Sequence, residues 1–172
     1  MDLKYKITFL DYWHTSSGLS AGVKLDSSVL KDSDELPYLS GKTIKGLVRE
    51  MAEFLDDGSF IKKCFGEKGV DMGECYFSNL SLEKNSKQEI VSNNLQDNLY
   101  SVIASTKIEN GIAVDDSLRE IEVVIPITLY GEILDIDSQE DKVKILKALK
   151  MIKRIGLNRN RGLGRCITEE IK

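Results

Sequence analysis

The chain has 172 residues, with 24 Lys or Arg against 28 Asp or Glu and a net charge of −4. That length suffices for one hydrophobic core without staples, and no apolar run approaches the ~20 residues that a bilayer crossing needs. The opening Met1-Asp2-Leu3-Lys4 does not read as a signal peptide, and Cys64, Cys75 and Cys166 with the single His14 run short of zinc ligands, so a cytoplasmic protein with reduced, mostly buried thiols and no membrane partner is expected.

In chain order, the β-branched and aromatic residues of 4–13 predict a first strand. A small-residue loop from His14 to Gly22 follows and continues as a polar stretch over 23–32; so long a loop after a first strand is often functional. Ile44, Leu47, Val48, Met51, Phe54 and Leu55 recur at helical spacing and predict a first helix over 42–55. Lys42, Lys45 and Arg49 surround its first two turns, where the amides and dipole favour a phosphate; otherwise they are a solvated helix face. Gly41-Lys42-Thr43 imitates the end of a P-loop, but that motif needs glycine where Leu36 stands, which argues against a nucleotide triphosphatase.

Cys64-Phe65-Gly66 ends a short connector, and residues 74–82 predict the second strand. Residues 83–98 turn polar, as an insertion or mobile loop would. Asn110-Gly111 between two apolar runs, 99–108 and 112–116, predicts a projecting β-hairpin. Residues 120–130 place Ile121, Val123, Ile125, Ile127 and Leu129 on one face and predict a central strand, although Pro126 has no N–H for the ladder. Ser138-Gln-Glu-Asp141 is a capping box before Val143, Leu146, Leu149, Met151 and Ile152, so a second helix is expected over about 139–155. Lys142, Lys144, Lys147, Lys150 and Lys153 make either its soluble outer face or a binding stripe. Residues 162–171 form the last predicted strand.

Between that helix and strand lies Gly156-Leu157-Asn158-Arg159-Asn160-Arg161-Gly162-Leu163-Gly164-Arg165, with three glycines and three arginines. Glycine lets backbone approach a ligand closely, and the guanidinium fork matches phosphate. The alternative is a helix cap at Gly156 and a solvated turn. Residues 139–165 hold nine Lys or Arg against two acids, a local +7 that leaves −11 elsewhere, so a basic footprint is concentrated here. The frame is α+β, a ferredoxin-like (RNA-recognition-type) βαββαβ sandwich over a single domain, 1–172, with a hairpin insertion at 83–119 between the second and third core strands. The wholly aliphatic face of 121–129 lacks the aromatic pair of an ordinary RNA-recognition motif.

This combination resembles the RAMP superfamily of CRISPR-associated proteins, and most the backbone subunits of type III (Csm/Cmr-type) effector complexes. The matching segments are the loop from His14 to Gly22, the helix start Ser40-Gly41-Lys42-Thr43-Ile44-Lys45-Gly46, Cys64-Phe65-Gly66 with Gly73-Glu74-Cys75-Tyr76-Phe77-Ser78-Asn79, and Arg159-Asn160-Arg161-Gly162-Leu163-Gly164-Arg165. Ser40 stands where the family usually has proline and Lys42 where it has serine, and the chain is shorter than most backbone subunits. The resemblance implies a subunit that packs on copies or relatives of itself along a guide RNA (crRNA), inserts its hairpin as a thumb between nucleotides and positions target RNA. It implies RNA contacts at His14, Lys42, Thr43, Lys45, Arg49, Arg159, Arg161, Gly162, Gly164 and Arg165. It also puts Asp26 on the position of the loop aspartate that cuts target RNA, by holding a divalent metal, Mg²⁺, or by orienting a 2′-hydroxyl. From the residues alone Asp26 is equally a turn cap, and His14 an acid–base group, a guide contact or a packed strand-end histidine. A non-catalytic structural subunit and a metal-independent guide-processing endoribonuclease are the other readings.

Overall fold

Strict alternation along β1 (Leu3–Phe9) gives the molecule two sides: Leu3, Tyr5, Ile7 and Phe9 are at most 2% exposed, while Lys4, Lys6 and Thr8 face outward. The computed structural model describes residues 1–16, 18, 26–55, 58–67 and 69–171, so much of the loop expected after the first strand, including Gly22, lies outside the described residues. β1 pairs antiparallel with β7 (Thr128–Leu134) on one side and with β8 (Cys166–Glu170) on the other. The short β2 (Tyr76–Phe77) adds to the free edge of β7. The order β2-β7-β1-β8 is that of the ferredoxin-like α+β fold. The buried face of this sheet carries α1 (Gly41–Ala52) and α4 (Gln139–Met151), which pack on each other, and a shorter α2 (Ser59–Phe65) joins α1. Burying each large side chain of β1 contributes roughly 1.5–3 kcal/mol, which makes this strand the centre of the core.

Of the expected capping box at α4, the Ser138 half forms, its hydroxyl accepting from the Asp141 N–H at 3.1 Å, while the Asp141 carboxylate meets Lys63 at 3.2 Å. Both helices are shorter than their periodicity suggested. α1 stops at Ala52, so Phe54 and Leu55 lie outside it and are 76% and 40% exposed. In α4 the buried positions are Asp141, Ile145, Ala148 and Leu149, which turns Val143 and Met151 toward solvent. All three cysteines are buried and unbridged. Among the described residues no helix is long and apolar enough to cross a membrane.

The expected strand over 120–130 is two strands. β6 (Arg119–Val124) ends before Pro126, β7 begins after it, and the chain turns a corner between them. Proline cannot donate to a ladder, and the residues either side are held by different elements, Ile125 N–H to Leu99 O and Phe9 N–H to Ile127 O. β6 instead pairs along its whole length with β3 (Tyr100–Ser105), and these two carry a tip hairpin of β4 (Ile108–Glu109) and β5 (Ile112–Ala113). Asn110 and Gly111 turn that tip with φ of 51° and 79°, the paired left-handed geometry of a tight hairpin. The projecting thumb thus exists, with β6 as its second strand.

The polar stretch after β2 contains a helix, α3 (Lys84–Ser92), with no fully buried residue. Only Ile90 and Val91 offer it apolar side chains, both half-buried, and Asn85, Ser86, Val91 and Ser92 are indifferent helix formers, so it depends on a mooring. Lys87 supplies it, reaching Asp32 at 2.8 Å and Asp34 at 2.9 Å. Burial opposes ionisation of Asp32, but the Lys87 ammonium and the N–H groups of Leu36 and Asp34 outweigh it and hold the carboxyl below the usual range. A lowered carboxyl stabilises the fold above its unfolded pKa and loses that contribution as pH falls through the folded value. Thermal melts followed by circular dichroism should therefore fall steeply below about pH 4. Asp32→Asn should melt lower at neutral pH and flatten the acid limb.

Candidate nucleic-acid interface

The glycine loop is sewn to the segment that leaves β1. Leu10 N–H donates to Arg165 O at 2.8 Å, Gly164 N–H to Tyr12 O at 2.8 Å, and Leu157 N–H to His14 O at 2.9 Å. Within the loop, Ile155 N–H donates to Gly164 O at 2.9 Å and Cys166 N–H to Lys153 O at 2.9 Å. The glycines have different roles. A Cβ on Gly156 would fall 2.1 Å from His14 O, and one on Gly164 2.0 Å from Ile155 O, so both are demanded by packing. Gly162 has φ +89° and open space around it, so its backbone is available for close approach by a ligand. Arg159 and Arg161 are exposed, whereas Arg165 forks onto Asp11 at 3.0 and 3.2 Å. Arg161 reaches the thumb, lining with Lys107, Asp116 and Arg119 a cleft of about 590 Å³.

His14 is completely buried. Its Nδ1 lies 2.6 Å from Glu122 O, and a carbonyl only accepts, so Nδ1 carries the proton; Nε2 lies 3.0 Å from Ser27 Oγ. Of the expected roles, this geometry is that of the packed strand-end histidine, with neither ring nitrogen turned outward. Asp26 is exposed and docked on the base of the thumb: its N–H donates to Glu120 O at 2.9 Å, and its Oδ2 accepts from Glu120 N–H at 2.7 Å. From there residues 27–31 follow β6. Glu122 N–H donates to Ser27 O at 3.1 Å, and the Glu122 carboxylate receives Val29 N–H at 3.0 Å and the Lys31 ammonium at 2.9 Å. Lys31 also sits 3.9 Å over the Tyr100 ring. Sequence reasoning missed Glu122; its one signal was an acid between two buried-type aliphatics, Ile121 and Val123, on a strand.

The cations of α1 are arranged differently. Ser40 caps Thr43 N–H at 3.2 Å and Asn79 Oδ1 takes Gly41 N–H at 2.8 Å, so two of the first amides are used internally. Lys45 donates to Met72 O, and Arg49 spans Glu53 Oε1 at 3.1 Å and Gly66 O at 3.2 Å. Lys42 and Thr43 are exposed, and Lys42 makes no hydrogen bond or ion pair among the described residues. None of the hydrogen bonds or ion pairs of these residues reaches the glycine loop. The structure thus brings together His14, Asp26, Glu122, the thumb base and the glycine loop, and sets α1 apart beside Gly66 and Met72. As for a metal, Asp26 offers one carboxylate with one oxygen committed, and among the described residues no three His, Cys, Asp or Glu stand together. Among the described residues, the donors do not form a metal cage.

The sequence profile of the RAMP superfamily matches residues 6–167. The chain belongs to the RAMP superfamily. No curated protein matches its sequence. Two solved structures share its fold along the whole chain. A chain of a type III-B Cmr-beta complex bound to cognate target RNA superposes with TM-score 0.77 at 11% identity, covering 99% of this chain and 97% of that one. A chain of the apo Cmr-beta complex superposes with TM-score 0.77 at 14% identity, covering 100% and 98%. At such identities the RAMP fold is what they have in common.

Two expectations follow for the RAMP frame. Gly156→Ala forces a Cβ into His14 O and should lower unfolding stability by about 3 kcal/mol or more, while Gly162→Ala meets only backbone strain of about 1 kcal/mol; urea melts separate them. Glu122→Ala strands Val29 N–H and Lys31 and should cost about 3 kcal/mol, against under about 1 kcal/mol for Glu120→Ala, whose contacts to Asp26 are made by backbone.

Proposed function

We propose that this RAMP protein is a subunit of a type III CRISPR effector complex that lies along crRNA among copies or relatives of itself and presents target RNA to Asp26 for cutting. The observation that carries the reading is the docking of Asp26 on the thumb-base strand, its N–H and Oδ2 both bonded to Glu120, with the thumb cleft opening toward Arg161. An acid, a projecting hairpin and a basic glycine loop are thereby held by one strand, β6, and its neighbours. The thumb enters between nucleotides and sets the register. Arg159, Arg161 and the open backbone of Gly162 take phosphates, with Lys42 and Thr43 as a separate contact on α1. The likeness to a chain of a Cmr-beta complex bound to target RNA supports this reading at the level of fold.

In the cutting step, Asp26 accepts the proton of a 2′-hydroxyl whose oxygen attacks the adjacent phosphorus. The 5′-oxygen leaves and takes a proton from solvent water, giving a 2′,3′-cyclic phosphate and a 5′-hydroxyl. Among the described residues Oδ1 of Asp26 has no partner, so it is the atom assigned to the proton. In place of that proton transfer, Oδ1 would hold a Mg²⁺ ion that neutralises phosphate charge; loss of cutting in EDTA would favour this role of Asp26 over proton acceptance. The bond from Glu120 N–H to Oδ2 favours one second reading, in which Asp26 is a strand cap in a non-catalytic RNA-binding subunit. Asp26→Asn in the assembled complex decides. The first reading expects cutting to fall at least about 100-fold with RNA binding retained, and unchanged cutting leaves the structural subunit.

A further inference from the structure

A second cationic cleft lies at the other end of the glycine loop, where the chain leaves α4 and enters β8. It measures about 490 Å³ and is lined by Lys153, Arg154, Arg159 and Arg165, with Leu10 and Ile167 among its apolar walls. It shares no lining residue with the thumb cleft that Arg161 enters. Arg154 and Arg165 form an antiparallel bridge, which sets two arginines directly opposite one another. Like charges so opposed destabilise a sheet. Asp11 answers the Arg165 guanidinium, but Arg154 has no ion pair or hydrogen bond among the described residues, and Lys153 reaches only the neutral carbonyl of Lys150. Four cations thus face one acid. Leu10 and Ile167, 41% and 50% exposed, border them with apolar surface that suits a ribose or base.

We infer that this cleft is a second seat for the phosphodiester backbone of single-stranded RNA, with one phosphate held between Arg154 and Arg165 and neighbouring phosphates on Lys153 and Arg159. The inference rests on the RNA-binding reading above and adds Lys153 and Arg154 to it. RNA then runs on two sides of the glycine loop, and the loop acts as a spacer between two phosphate contacts. The opposed arginines, a cost to the free protein, become a gain once an anion lies between them.

The test is binding of a fluorescein-labelled oligouridylate to the full chain across a salt series, for wild type, Arg154→Gln and Arg161→Gln. Arg154→Gln should weaken binding roughly tenfold and lower the slope of log affinity against log salt by about 0.7, the share of one single-strand phosphate. Its melting temperature without RNA should equal or exceed that of wild type, because a repulsion has been removed. Unchanged affinity and slope in Arg154→Gln beside a loss in Arg161→Gln would overturn the second seat and leave RNA binding intact. Failure of wild type to bind at all, alone and in the assembled complex, would overturn both. A lower melting temperature for Arg154→Gln would make Arg154 a packing residue and defeat the proposal. If inorganic tripolyphosphate raises the melting temperature through Arg154 while RNA binding ignores it, the seat is for free phosphate and the assignment to RNA fails.

Discussion

His14 is the joint of the molecule. Its ring reaches the thumb base at Glu122 O and the acid-bearing loop at Ser27, and its carbonyl takes Leu157 N–H from the glycine loop. It is itself anchored at the end of β1 beside Trp13, which stacks on Phe9 at 4.4 Å. One residue therefore fixes the relative position of three segments that are remote in sequence. The His14 ring is fully buried, so loss of a partner would leave a buried polar atom unmet. The glycine loop and residues 26–31 have further ties of their own to Leu10, Tyr12, Glu120 and Glu122, and His14 is the residue that touches all three segments.

The second organising feature is the corner at Pro126. It separates two ladders that serve different ends: the β1–β7 pairing belongs to the core, the β3–β6 pairing to the thumb. Because β6 is not an edge of the main sheet, its side chains have room for Glu122, which a fully apolar strand would exclude. Glu122 in turn orders residues 27–31 beside Asp26. The acid at the surface is thus supported by one beneath it, whose side chain is only 12% exposed.

What was legible in the sequence was whatever obeys a local rule. The alternation of β1, the capping box at Ser138, the Asn110-Gly111 turn and the glycine loop each state their own geometry, and their order was enough to reach the βαββαβ frame. The features that escaped depend on partners far away. The run from Ile121 to Leu129 looks continuous because alternation does not register a change of neighbour at Pro126. α3 looked like loop because it has no fully buried residue, and Lys87 meeting Asp32 moors it to the body. His14 had three open readings in the sequence, and its packing depends on a carbonyl 108 residues away. At the candidate site, the arginines of the glycine loop were visible as a composition, but the pairing of Arg165 with Asp11 and the separation of Arg161 from Arg154 into two clefts needed the fold.

The break at Pro126 also bears on how such a protein can vary. Register in the core is set by β7 against β1, from Leu3 opposite Ile133 to Thr8 opposite Thr128, and none of those pairs involves a thumb residue. Residues added between β3 and β6 lengthen a closed excursion whose entropic cost grows only with the logarithm of its length. Core and thumb are therefore separately heritable: reach along a bound strand can be lengthened or trimmed over generations while the sheet that supports it keeps its alignment.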